Sequence, residues 1–225
     1  SMLHSASNHY MARGDFTRFC DWRFIHRARL NVLPLNGCRR HGDGDRRCRR
    51  CGYDTETAAH VLGRCNAHSR AVTLRHNAIV ARLLKAAHPS PGSAVYSDRK
   101  VPGTPGLLRP DIAIIDDAAK SCTIVDVVVT YENRKDAMVA ARMDKIRKYD
   151  GLRQHFEQRG YHTTLDAYVV GTLGSMDPLN RRAIAALNIN PVYNRLMQRL
   201  VVSDVIKWAR DIYTEHVSGV RQYHV

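Results

Sequence analysis

Two aspartates with 14 residues between them, followed by a lysine-bearing helical stretch, carry the strongest chemical signal in this chain of 225 residues. Asp111 follows Arg109 and Pro110 and opens the apolar run Ile112 to Ile115. Asp126 stands inside a second run, Cys122 to Thr130, between Val125 and Val127. A carboxylate in mid-strand among valines is costly unless a partner offsets its desolvation. A metal ion is the commonest such partner when a second acid lies beside it. Two acids on adjacent strands with a lysine close by are what phosphodiester hydrolysis needs. The acids would hold a hard divalent cation, Mg2+ or Mn2+, through oxygen. Such a cation supplies a polarised phosphoryl oxygen and an acidified water. A lysine orients that water or offsets developing negative charge, and Lys145 and Lys148 lie on neighbouring helical turns with Tyr149. The plainer reading of the same residues is a Pro-Asp turn, plus an acid satisfied by an arginine or a backbone amide.

A second constellation is Cys48-x2-Cys51-x8-His60-x4-Cys65. Four soft or borderline donors at this spacing suit tetrahedral zinc. The Cys-x2-Cys pair is a knuckle and Gly52 gives its turn. No position is left for water, so the zinc is structural and contributes folding energy. Cys38, His41 and His68 are spare donors. Cys20 and Cys122 lie on apolar stretches and read as core residues. Six cysteines are few for a disulfide scaffold of this length, so the cluster suggests a metal site in a reducing compartment.

These residues must be positioned by regular elements. The β-branched runs around Asp111 and Asp126 read as two buried strands of a hairpin, with Asp116 and Asp117 in the turn. Helical spacing covers 67–87, 135–158, 178–187 and 191–216, and short strands read at 94–96 and 164–171. The order helix, strand, strand, strand, helix, strand gives an α/β fold. An earlier helix starts at Asp15 and turns Phe16, Phe19, Cys20, Phe24 and Ala28 to one face. Its Arg18, Arg23, Arg27 and Arg29 are either a solvated face or phosphate contacts. Residues 3–14 read as poorly ordered, 36–50 as a flexible basic loop able to grip a nucleic-acid backbone, and His76 and Asn77 as surface or structural positions. The segments are an N-terminal helix and basic linker (1–45), the CCHC knuckle (46–66), an α/β core (67–175) and a C-terminal helical extension (176–225).

Thirty-five Lys and Arg against 21 Asp and Glu give a net charge of +14. That excess favours a polyanion, most simply nucleic acid. Aromatic content of 7% argues against a base-stacking platform. No apolar run is long enough to span a membrane, and no signal-peptide pattern opens the chain. Ser1-Met2 looks like a tag-cleavage scar, which makes a fragment of a longer chain the expectation.

Pro110-Asp111 and Asp126 resemble the PD-(D/E)xK nuclease motif. Val128 stands where that motif has its lysine, and in some members the lysine has moved to the following helix. The knuckle, the Arg109-Pro110-Asp111…Asp126 pair and the Lys145 to Tyr149 helix occur together in one order. That set resembles the C-terminal end of site-specific non-LTR retrotransposon polyproteins, a zinc knuckle followed by a restriction-like endonuclease, over roughly residues 15 to 215. The resemblance implies a restriction-endonuclease-like αβββαβ core with a mixed sheet. It implies an enzyme that nicks double-stranded chromosomal DNA in the nucleus, the freed 3′-hydroxyl priming reverse transcription by an upstream domain of the same polyprotein. Carried over, Asp111 and Asp126 hold Mg2+ or Mn2+, and Lys145, or else Lys148, is the catalytic lysine. Tyr149 and Glu132 match motif positions, Glu132 as a water-mediated metal contact or a surface acid, and Arg109 contacts the scissile phosphate. The competing reading is a non-cleaving DNA- or RNA-binding clamp, and the zinc and arginine region is also a candidate surface for element RNA.

Overall fold

The computed structural model describes residues 5–38, 44–132 and 136–224. Four strands form one sheet in the order β1-β2-β3-β4: Ala94–Tyr96, Ile112–Asp116, Ser121–Thr130 and His162–Gly171. The first three strands are antiparallel, and β4 runs parallel to β3. The sheet is therefore mixed. β3 lies between β2 and β4, which is why its sequence is a nearly unbroken β-branched run instead of an alternating one. The parallel β3–β4 pair requires a crossover, supplied by the helix α5, Ala137–Glu157.

Side-chain alternation divides the two faces. Val125, Val127, Ile112 and Ile114 join the larger buried cluster. That face is covered by α4 (Ser69–Ala86), which packs in turn against α7 (Pro191–Ser218). Cys122, Ile124, Ala113 and Ile115 face the other way, against Tyr149, Leu152 and Phe156 of α5. The same parity puts Asp126 on the α5 face, while Asp111 lies just before β2, at the open end of the hairpin. The larger cluster also takes in Ala6, Leu35, Val61 and Leu62, so N-terminal, knuckle, sheet and C-terminal segments share one core. Pro191 at the first turn and the Asn190 side chain, which accepts from Val192 N at 2.8 Å, start α7. In the β2–β3 turn, Asp116 Oδ1 accepts from Ala119 N at 2.8 Å, the turn role expected of it.

Three expectations are corrected. Residues 5–13 are ordered, as a 3-10 turn, Ser5–Asn8, and the short helix α1, His9–Arg13. Their polar composition conceals tertiary anchors: Tyr10 is buried, and Ser7 Oγ accepts from Met176 N at 3.0 Å. The next helix, α2, spans Phe19–Arg29 and begins after Phe16, whose φ of 60° is left-handed. It turns Asp21, Phe24, Ile25 and Ala28 inward and leaves Phe16, Phe19 and Cys20 exposed. Asp21 tolerates this because Arg18 donates to both of its oxygens, at 2.7 and 2.8 Å. Cys122 is buried, as read, and burial pushes its thiol up to about 12.

Arg142 of α5 was not singled out by pattern, yet it stitches the crossover together. It is buried, and it donates to Asp166 on β4, to Asp177 and to the Asn180 side chain at the start of α6, Asn180–Ala186. Removing one partner of a buried ion pair leaves uncompensated charge, at a cost of about 3–5 kcal/mol. We therefore expect Arg142→Ala to lower the urea midpoint by that amount of stability. An unchanged midpoint would mean that the cluster holds nothing together.

Candidate functional site

Ile112 pairs with Val125 in the β2–β3 ladder. Asp111 just precedes this pair on one strand and Asp126 just follows it on the other, so the two acids flank it, and the Asp111 charge is felt at Asp126. Asp111 Oδ2 accepts from Val127 N at 2.6 Å, which fixes the carboxylate at the mouth of the hairpin. Asp126 is only 1% exposed. Lys145 Nζ reaches down from α5 to within 2.6 Å of Asp126 Oδ2. One turn further along α5, the buried Tyr149 hydroxyl donates to Arg109 O at 2.8 Å. That bond braces the Arg109-Pro110-Asp111 approach to β2. Burial, then the charge of Asp126, pushes the Tyr149 phenol up, so it remains a neutral donor.

The two acids are not equivalent. Burial raises the Asp126 pKa, the Asp111 charge raises it further, and Lys145 offsets only part of this. Burial also opposes charge on Asp111, but His76, the Val127 amide and Lys145 outweigh it, and its pKa is lowered. The carboxylates of Asp111 and Asp126 are hard oxygen donors of the kind that could hold a divalent cation, whose charge would relieve the penalty on Asp126.

Of the other expected residues, Lys148 is exposed and its Nζ lies 4.7 Å from the Tyr149 ring centre, not on an acid. Arg109 is exposed beside the acid pair. Glu132 is placed elsewhere. Its carboxylate accepts from Leu173 N and Ser175 N at 3.0–3.2 Å. It lines a separate cleft of about 1170 Å³ that includes none of Asp111, Asp126 and Lys145. Its position fits a loop anchor, not a group that reaches the acid pair.

The residue missed was His76. Its Nε2 lies 3.0 Å from Asp111 Oδ2 and 3.2 Å from Val127 O. Burial disfavours its charge, yet the Asp111 hydrogen bond and charge prevail and raise its pKa. The turn of α4 that presents His76 to the hairpin depends on how the helix crosses the sheet, which one-dimensional periodicity does not encode.

The cysteine cluster assembles as its spacing suggested. One donor atom each from Cys48, Cys51, His60 and Cys65 lies within 4.8 Å of all the others. Cys48 Sγ and Cys65 Sγ are 3.8 Å apart, and Cys51 Sγ is 3.2 Å from His60 Nε2. Tetrahedral ligands at zinc distances stand about 3.3–3.8 Å apart, so the cluster could hold a metal such as zinc. The helix α3, Ala58–Gly63, carries His60, and its N-cap Thr57 accepts from His60 N at 3.2 Å.

Behind the cluster lies a buried support. Glu56 is 0% exposed and takes both Arg49 guanidinium bonds at 2.8 Å, the Arg49 amide and the Asn36 amide. Although burial opposes its charge, these donors hold Glu56 down to about 2. His216, from the far end of α7, places Nε2 2.8 Å from Glu56 and Nδ1 3.0 Å from His68. Arg50 Nε donates to His216 O at 2.8 Å. Two arginines of the expected basic loop are thus braces, while Arg46 and Arg47 are exposed. Arg39, Arg40 and His41 lie outside the described residues, and Cys38, half-buried, sits against Asn31 instead of the cluster.

Fold and site together define an α/β protein with a four-stranded mixed sheet, a Cys/His cluster able to hold a metal, and a separate acid pair beneath a helix-borne lysine. No protein-family model matches the chain. It is similar to the retrovirus-related Pol polyprotein from type-1 retrotransposable element R2 of Popillia japonica, 25% identical over 217 residues and covering 91% of this chain. The chain spans 43% of that relative's length. The similarity supports a non-LTR retrotransposon protein. Among the described residues, no helix is long and apolar enough to cross a membrane.

Proposed function

We infer that the chain is a metal-dependent DNA endonuclease which nicks a chromosomal target in the nucleus and frees a 3′-hydroxyl to prime reverse transcription. The observation that carries this reading is the gathering of Asp111, Asp126 and Lys145 at one end of the hairpin, with Lys145 Nζ 2.6 Å from Asp126. The element order α4-β1-β2-β3-α5-β4 and the mixed sheet also fit a restriction-endonuclease-like core. A net charge of +14 suits double-stranded DNA, and the Cys48, Cys51, His60, Cys65 cluster suits structural zinc. An upstream polymerase of the same polyprotein would be the partner that extends the primer, and element RNA a second polyanion.

Asp111 and Asp126 would hold Mg2+ or Mn2+, which neutralises charge at the scissile phosphate and acidifies a water when bound. Water attacks phosphorus, the bond to the 3′ oxygen breaks, and that oxygen departs as a hydroxyl with a proton. Lys145 orients the water or offsets the charge that gathers on the phosphoryl oxygens. Tyr149 holds the Asp111 approach rigid through Arg109 O, and Arg109 itself stands exposed where a backbone phosphate would lie.

Nicking of supercoiled plasmid in Mg2+ or Mn2+, and its loss in EDTA, tests this reading. Lys145→Ala is expected to lose on the order of 10²–10³-fold in rate, while Lys148→Ala stays within about tenfold. The reverse ranking would move the catalytic lysine. No cleavage by the intact chain, with tight salt-dependent DNA binding, would favour the clamping reading, to which the +14 charge also lends itself.

A further inference from the structure

Aromatic residues make up 7% of the chain, which argues against stacking as a general mode of binding. Three of them are nevertheless exposed within one short stretch: Phe16, Phe19 and Trp22, with Phe19 at 72%. Phe16 holds a left-handed φ of 60°, a conformation that a bulky side chain adopts only at a cost. Phe19 and Trp22 lie one turn apart on α2 with nearly parallel rings, 10° between planes and 6.0 Å between centres. The His26 ring continues the row, 4.3 Å from Trp22. The Arg23 guanidinium stands 6.0 Å from the Phe19 ring centre. Arg18 and Arg29 are committed to Asp21 and to Leu173 O. Arg23 and Arg27 are exposed, and the acid of α2, Asp21, is buried. Rings interleaved with arginines, on a helix that exposes no acid, match the bases and phosphates of an unpaired strand.

We propose that this row on α2 is a stacking platform for an unpaired DNA strand, with Arg23 and Arg27 on its phosphates. Such a platform takes a strand only after it leaves its duplex, because stacked and paired bases keep their faces covered. The Phe19, Trp22 and Arg23 side chains offer no acceptor for a 2′-hydroxyl, so nothing in them favours RNA. The choice of DNA rests on the nuclease reading; the stacking does not.

The test is binding of an oligothymidylate without added Mg2+ or Mn2+, read by anisotropy of the labelled strand and by quenching of tryptophan fluorescence. The native chain is expected to bind with quenching. Phe19→Ala should weaken single-strand affinity about 5- to 150-fold, with duplex affinity within about twofold and the melting temperature unchanged. Trp22→Phe should keep the affinity and lose the quenching, which excludes Trp208 as the reporter. Arg23→Gln combined with Arg27→Gln should lower the slope of log affinity against log salt by about 1.4. An unchanged single-strand affinity in Phe19→Ala would overturn the platform and fit docking of another domain of the polyprotein instead. An equal loss for duplex would overturn it too. Tighter binding of an oligouridylate of the same length would overturn the choice of DNA. Absence of nicking, with this binding pattern intact, would remove the nuclease reading and leave the platform standing.

Discussion

Asp126→Asn is expected to abolish nicking, by on the order of 10³-fold or more, while DNA affinity stays within about twofold. The size follows from losing a cation ligand and the anchor of Lys145 in one change; even a single preorganised electrostatic contact is worth about 10²–10³-fold. Affinity should persist because Asp126 is 1% exposed and anionic, and so contributes nothing favourable to phosphate contact. The stability change separates a functional acid from a structural one. Burial and Asp111 raise the Asp126 pKa, so the folded state disfavours its charge relative to the unfolded chain. The neutral isostere should therefore not lower the metal-free melting temperature. With Mn2+ present the order should reverse, because only the native chain gains stability from the ion. Calorimetry with and without Mn2+ reads both. A melting temperature several degrees lower without metal, with nicking intact, would make Asp126–Lys145 a structural ion pair.

The other large effect is expected from zinc. Cys48 and Cys65 are 3% and 2% exposed and share their surroundings with Glu56 and His216. Structural zinc contributes about 10–16 kcal/mol of apparent binding energy in isolated zinc-finger peptides at neutral pH. Only part of that would be lost here, since a shared core remains. Cys48→Ser, or treatment with a strong chelator, should still cost several kcal/mol and loosen the end of α7 together with the knuckle. The check is one zinc released per chain, measured with a chromogenic chelator, and loss of amide protection around residues 210–218 in hydrogen exchange. Cys20→Ser, at an exposed position, is the control and should change neither. A Cys48→Ser protein that keeps its zinc and its protection would exclude Cys48 as a ligand.

Legibility in the sequence followed the range of each interaction. The buried, mid-strand place of Asp126 could be read because a charge among valines is anomalous on its own strand, and the Cys/His cluster because its donors lie within one short stretch. Strand and helix limits fell close to expectation where β-branched runs or prolines punctuate the chain. His76, Glu56 and Arg142 could not be read so directly. Each takes its meaning from a partner on another element: Asp111, His216 and Asp166 respectively. The face of α2 was misjudged for a related reason. A buried Asp21 paired with Arg18 breaks the rule that acids face water, and only the pairing reveals it.

The support behind the knuckle joins residues 160 positions apart in the chain, Glu56 and His216. A nascent chain lengthens by about 5–20 residues per second, so Glu56 waits roughly 8–30 s before His216 has even been made. For that interval the carboxylate has Arg49 as its local counter-charge but no imidazole wall to enclose it. An ion captured early by the four nearby donors would hold the half-built module in shape until the last helix arrives. Zinc supply during synthesis, more than zinc supply afterwards, would then govern how much of this protein reaches its native state.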